Sequence, residues 1–198
     1  MDVPVKAGVE ETRLRILGAA REVYAERGSR GTTTREVADR AGVNEATLFR
    51  HFGTKGHLLS AMLDHFSASP ALPALLDEVR AAGPIEEQLR RLGAGAIEQL
   101  KRKEDLIKVS MAEEFTNPEG STCAWQAQAA ARAALKGYMQ EKVDAGELHG
   151  NPEMLARIFM SFFFAYVMAR KLWTAPDVSP DQAIATMVDI FLNGARAR

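Results

Sequence analysis

Residues 33–59, TTREVADRAGVNEATLFRHFGTKGHLL, leave the chain few choices of local structure. Thr33 and Glu36 stand at capping-box spacing, in which each side chain satisfies a free N–H at a helix start. Val37, Ala38 and Ala41 give that helix one apolar face, and Gly42 supplies the left-handed residue that ends it. Val43 fills the corner. Asn44 is placed to cap a second helix, Glu45 to His51, whose Leu48 and Phe52 turn back toward the core. A third helix starts at Lys55 behind a Thr54 cap and runs to about Phe66, with Leu58, Leu59, Met62, Leu63 and Phe66 as its apolar stripe. The pattern predicts helix, tight turn, helix.

With the apolar positions turned inward, Glu45, Ala46, Thr47, Arg50 and His51 are left outward on the second helix. These residue types reach base edges and phosphates in a major groove, which makes the segment a helix-turn-helix. The pattern T-T-x-x-E-V-A-x-x-A-G-V-N-x-x-T-L-F-R-H-F-x-T-K-x-x-L-L, over about residues 10–70, resembles the amino-terminal domain of the TetR family of bacterial transcriptional repressors. One amphipathic helix precedes it, as in that family, at about Glu11 to Arg27. Ile16, Leu17, Ala20, Val23 and Tyr24 form its inward stripe, and Gly28 stops it.

The candidate DNA-binding residues are Thr33, Thr34, Arg35, Asn44, Glu45, Ala46, Thr47, Arg50, His51 and Lys55. Thr33, Thr34 and Arg35 sit at a helix start, where free N–H groups and the dipole favour a phosphate; for Thr33, cap and phosphate contact are both open. The resemblance assigns Lys55 and His51 to backbone phosphate. Arg50 suits guanine or phosphate and Thr47 a thymine methyl, while Glu45 either accepts from a cytosine amine or complements the helix dipole. At Phe49 the family more often carries tyrosine. The phenylalanine keeps the packing and gives up a hydroxyl contact of about 0.5–1.5 kcal/mol, so its expected place is core and apolar contact.

A net charge of −1 over 198 residues argues at first against a nucleic-acid protein. The local balance differs: Arg27, Arg30, Arg35, Arg40, Arg50 and Lys55 face only Glu36, Asp39 and Glu45 between residues 27 and 55. Cys123 is the only cysteine, so no intrachain disulfide forms. Its expected role is packing. The amino terminus lacks the apolar stretch of a signal peptide, and no segment supplies the roughly 20 apolar residues of a membrane span. The expected location is the cytoplasm.

Beyond residue 66 the segment SASPALP, Ser67 to Pro73, breaks or redirects the helix and marks a domain boundary. The organisation expected is all-α: a three-helix DNA-binding domain over 10–70 and a larger helical ligand-binding and dimerisation domain over 71–198. Helices are predicted at about Pro84–Lys101, Lys103–Phe115, Ser121–Ala145, Asn151–Trp173 and Ser179–Arg196, with a turn at Asn117-Pro118-Glu119-Gly120. Ile158 to Ala169 carries no charge on any face, so protein must cover it all round: its own domain on one side and a second subunit on the other. The last helix, with Ile184, Met187, Val188, Ile190, Phe191 and Leu192, is the other half of a four-helix homodimer interface, which the resemblance also implies. A two-fold protein reads a palindromic operator with half-sites about one DNA turn apart.

The resemblance further implies a small-molecule effector in the second domain, whose binding moves the helix beginning at Lys55 and releases DNA; repressor rather than activator comes from the family. Met111, Phe115, Trp125, Phe159, Phe163, Tyr166 and Trp173 are candidate lining residues, although each also suits plain core packing. Gly93 and Gly95 either open space for a ligand or permit close helix approach. Arg170 and Lys171 suit an anionic ligand or simply a helix C-terminus. No cofactor or metal is expected, because His51, His57 and His65 lack the spacing of a helical metal pair. Glu86-Glu87 and Glu113-Glu114 diverge by about 100° on a helix, and no nucleophile motif appears, so an enzyme is not expected. The alternative is a helical ligand-binding or adaptor protein of the same fold without specific DNA binding.

Overall fold

The computed structural model describes residues 4–67, 71–116, 129–170 and 178–195. Ten helices are formed among them, and no β-strand. The first four are α1 (Pro4–Gly31), α2 (Thr34–Ala41), α3 (Glu45–Phe52) and α4 (Lys55–Ser67). Then come α5 (Ala71–Arg80), α6 (Ile85–Arg102) and α7 (Glu104–Thr116), followed by α8 (Ala129–Asp144), α9 (Pro152–Met168) and α10 (Pro180–Ala195). α1 begins seven residues before the expected Glu11. It turns out of line at Gly28, where φ is 67° and ψ 178°, a conformation open to glycine.

The chain divides into two compact units, Met1–Ala68 with Asp105–Gln128, and Ser69–Glu104 with Ala129–Arg198. The first break falls near the expected residue 70, but α7 returns to the first unit instead of joining the second. Leu106 and Val109 of α7 are buried in the same core as Ile16, Leu17, Val23, Val37, Leu48, Leu58 and Met62. Arg21 of α1 fixes the start of α7 by donating from Nε and Nη2 to Asp105, at 2.8 and 3.2 Å. Burial pushes the Asp105 carboxyl up, and those Arg21 hydrogen bonds hold it below the ordinary aspartate range. Tyr24 is buried in this core with no partner for its hydroxyl among the described residues, and burial together with the Glu113 carboxylate pushes its ionisation up.

In the second unit α6 is the central helix, and α5, α9 and α10 all pack on it. Leu89, Leu92 and Ile97 of α6 meet Leu76, Val79, Phe159, Phe163, Val188 and Phe191 in one core. Inside it, the Tyr138 hydroxyl donates to Gln88 at 3.0 Å and the Gln88 amide donates to the Gly83 carbonyl at 2.6 Å, so the buried polar groups are paired. α5 was not foreseen, because Pro73 reads as a breaker. Pro73 is the third residue of α5, where the missing N–H is one the helix leaves unpaired in any case. α9 ends at Met168, short of the expected Trp173, and the Ala169 N–H closes it on Ala165. The predicted turn Asn117–Gly120, the start at Ser121, Cys123, Lys171 and Arg196 lie outside the described residues.

Gly93 and Gly95 permit close helix approach. A β-carbon on Gly93 would lie 2.6 Å from the Phe163 ring, and one on Gly95 would lie 2.4 Å from a Leu75 methyl. Phe163 is fully buried and stacked edge-on against Phe159, at 5.0 Å between centroids, so its ring has nowhere to retreat. Gly93→Ala is therefore expected to destabilise: overpacking costs about 1–3 kcal/mol and exceeds the roughly 1 kcal/mol that alanine contributes to a helix. Gly18→Ala in α1, where a β-carbon meets nothing within 4 Å, is expected to raise stability. Urea denaturation of both variants checks the opposite signs.

Candidate nucleic-acid interface

The two short helices of the first unit are held at their starts by side chains. Thr33 is extended (φ −115°, ψ 149°) and its Oγ1 accepts from the Glu36 N–H at 3.1 Å. The reciprocal half of the capping box is absent, since the Glu36 carboxylate takes the Arg27 guanidinium at 3.3 Å instead. Gly42 ends α2 in the left-handed region, at φ 66°, with its N–H on Asp39 and the Val43 N–H on Ala38. Asn44 then caps α3: its Oδ1 accepts from the Thr47 N–H at 2.7 Å. Gly53, at φ 74°, closes α3, and the Thr54 hydroxyl oxygen accepts from the His57 N–H at the start of α4. Leu48 and Phe52 anchor α3 in the core, and Arg13 lies over the Phe52 ring at 5.3 Å.

With α3 so fixed, Ala46, Phe49 and Arg50 are exposed, and Thr47 and His51 are half-buried. Phe49 is 42% exposed, so it faces outward and is not part of the core as expected. The reason is its position: one residue after Leu48, it is turned about 100° from the inward face. Arg35 on α2 is exposed. Thr34 does not point free, because its hydroxyl donates to the Glu45 carboxylate at 2.5 Å. That bond joins the start of α2 to the start of α3. Lys55 is also engaged: its Nζ donates to the Ser29 carbonyl at 2.9 Å and keeps two further donors.

The local positive charge is smaller than a residue count suggests. Arg27 is paired with Glu36, and Arg40 lies between Glu22 at 3.2 Å and Glu26 at 3.0 Å. The Arg40 hydrogen bonds hold the Glu26 carboxyl below the ordinary range. Arg30, Arg35 and Arg50 are the arginines between residues 27 and 55 that remain exposed without an ion-pair partner among the described residues.

Among the described residues, the candidate effector residues are divided between the two units. Met111 is 43% exposed on α7 in the first unit, whereas Phe159 and Phe163 are fully buried in the core of the second and packed on each other. The Tyr166 hydroxyl donates to the Val178 carbonyl at 2.8 Å. Trp125, Trp173 and the side chain of Phe115 lie outside the described residues. Arg170 donates to Glu104 at 3.3 Å, so its anionic partner is within the chain.

Comparison with known proteins places both units. Residues 16–62 match the bacterial regulatory proteins of the tetR family, and residues 87–194 match the AefR-like transcriptional repressor C-terminal domain. The transcriptional regulator YvkB of Bacillus subtilis is 31% identical over 160 residues, which cover 80% of this chain and 82% of YvkB. The chain belongs to the TetR family. It is thus a DNA-binding transcriptional regulator with a helix-turn-helix. The repressor Rv3405c of Mycobacterium tuberculosis shares 44% identity over 86 residues, 43% of this chain and 45% of that protein. The same fold occurs in a TetR-family regulator of Mesorhizobium loti, with TM-score 0.79, 18% identity and coverage of 96% of this chain and 98% of that one. It occurs too in FadR of Bacillus subtilis solved with stearoyl-CoA, with TM-score 0.74, 17% identity and coverage of 91% and 98%.

For a TetR-family reading head built this way, the Asn44 cap carries measurable stability. Asn44→Ala is expected to cost about 1 kcal/mol in thermal unfolding, because the Thr47 N–H loses its side-chain acceptor and keeps only the Asn44 carbonyl, at 3.0 Å. Asn44→Asp, which keeps an acceptor, is expected to stay within a few tenths of the parent.

Proposed function

We propose that the chain is a homodimeric transcriptional repressor in the cytoplasm that leaves a palindromic operator when a small-molecule effector binds its second unit. The observation that carries this reading is the capped, core-anchored α3 with Phe49 and Arg50 outward, accompanied by the exposed Arg35 of α2. In this reading residues 10–70 bind DNA, and the second unit, Ser69–Glu104 with Ala129–Arg198, holds the effector and the dimer contact. Arg50 and Thr47 meet bases or phosphate. Ala46 allows close approach, Glu45 reads a base amine, and Arg35, His51 and Lys55 meet the backbone. Thr33, Thr34 and Asn44 contribute by building the head: the first and last as caps, Thr34 through Glu45.

The dimer is supported by α9. Met154, Ile158, Ser161 and Ala165 recur on its outer side and are exposed, with Met154 and Ile158 at 48% and 43%. α10 offers less than its composition suggests, since Ile184, Val188, Phe191 and Leu192 are buried in their own unit and only Ile190 among its large apolar side chains is exposed. Repression is supported by the naming of Rv3405c, and an effector by FadR, whose similar fold accommodates stearoyl-CoA. Release is a shift between two states by a ligand that prefers one of them. Among the described residues no helix is long and apolar enough to cross a membrane.

Fluorescence anisotropy on DNA from upstream of the chain's own gene, with unrelated DNA as competitor, tests the reading. Competitor-resistant binding with two subunits per site is expected, and Arg50→Ala is expected to weaken it by about 1–3 kcal/mol. Equal binding to both DNAs, persisting after random-site selection, would contradict it.

A further inference from the structure

The last turn of α1, beyond the kink at Gly28, carries one more exposed cation, Arg30. At Gly28 the backbone leaves the line of α1. Thr32 then locks the turn, its N–H and its hydroxyl both donating to the Gly28 carbonyl, at 3.2 and 2.8 Å, while its side chain is 3% exposed. Ser29 faces inward on two counts: its hydroxyl donates to the Glu113 carboxylate of α7, and its carbonyl accepts the Lys55 ammonium at 2.9 Å. Arg30, next in the chain, is exposed and has no ion-pair partner among the described residues.

From this we infer that Arg30 is a DNA-backbone contact outside the helix-turn-helix, holding a phosphate next to the one met by Lys55. The inference rests on the operator binding proposed above. Lys55 Nζ lies at the carbonyl of Ser29, so Arg30 branches from the residue next to the one that holds Lys55. The pinned turn removes backbone freedom that a loop arginine would otherwise lose on binding. Neighbouring arginines are spent within the protein: Arg27 on Glu36, and Arg40 on Glu22 and Glu26. Arg30 is not. A guanidinium so placed adds affinity without sequence preference, because phosphates carry no base identity.

The test is the salt dependence of DNA binding by the full chain. Anisotropy titrations on the upstream duplex and on unrelated DNA, across a potassium chloride series, compare the parent with Arg30→Gln, Arg30→Lys and Arg40→Gln. Arg30→Gln is expected to weaken binding to both DNAs by the same factor and to lower the slope of log K against log salt by about 0.9 for each bound subunit. Arg30→Lys should restore the slope, and Arg40→Gln should leave it at the parental value. A parental slope in Arg30→Gln, or an equal loss in Arg40→Gln, overturns the inference while leaving operator binding intact. A parent that binds neither DNA defeats both together.

Discussion

The N–H groups left open at the starts of two eight-residue helices are the point on which the rest of this structure turns. Helices of that length do not persist alone in water, because nucleation costs more than two turns return. α2 and α3 exist because Thr33 and Asn44 each occupy one open N–H, and because Val37, Ala38, Leu48 and Phe52 are buried against α1 and α4. Capping sets where each helix begins. Burial sets which way it faces. The outward set on α3 is the remainder of those two constraints, so which residues it presents is decided by the caps and the core.

Electrostatics refine this picture. A chain of net charge −1 concentrates usable positive charge in a few places by pairing the rest. Arg40 is held by two glutamates of α1, Arg27 by Glu36, and Arg21 by Asp105. These pairs knit α1 to α2 and α7. Arg30, Arg35 and Arg50 are exposed with no ion-pair partner among the described residues, and these shape the field near the reading head. α7 has a double attachment. It follows α6 directly in the chain, with Lys103 between them, and its buried residues belong to the first unit.

The parts visible in the sequence were those governed by local spacing. The Gly42 turn, the Asn44 cap, and the inward stripes of α1 and α4 depend on residues within a few positions of one another, and each formed as read. Tertiary partners were not visible. Glu36 looked like a reciprocal cap but meets Arg27, and the contact of Lys55 with the Ser29 carbonyl was not foreseen, because neither arrangement follows from helical period. The helix predicted at about Lys103–Phe115 was placed with the second domain, and its buried residues Leu106 and Val109 belong to the amino-terminal core. Pro73 misled for a different reason: a proline reads as a breaker unless its place within the first turn is known. The aromatic residues of α9 illustrate the remaining difficulty. Phe159 and Phe163 suit a ligand wall or a packed core in sequence, with packing the better reading for each alone, and both are fully buried.

Phe49 offers the most direct measurement of the central claim, that the outward face of α3 is the surface DNA covers. Hydroxyl-radical labelling with mass spectrometry reads the exposure of its ring, and Met111, exposed on α7, serves as an internal reference. When the protein is saturated with duplex from upstream of its gene, labelling of Phe49 is predicted to fall severalfold while that of Met111 holds. Unchanged labelling of Phe49 in a complex shown by anisotropy to be saturated would mean that DNA is held elsewhere, and would contradict the account.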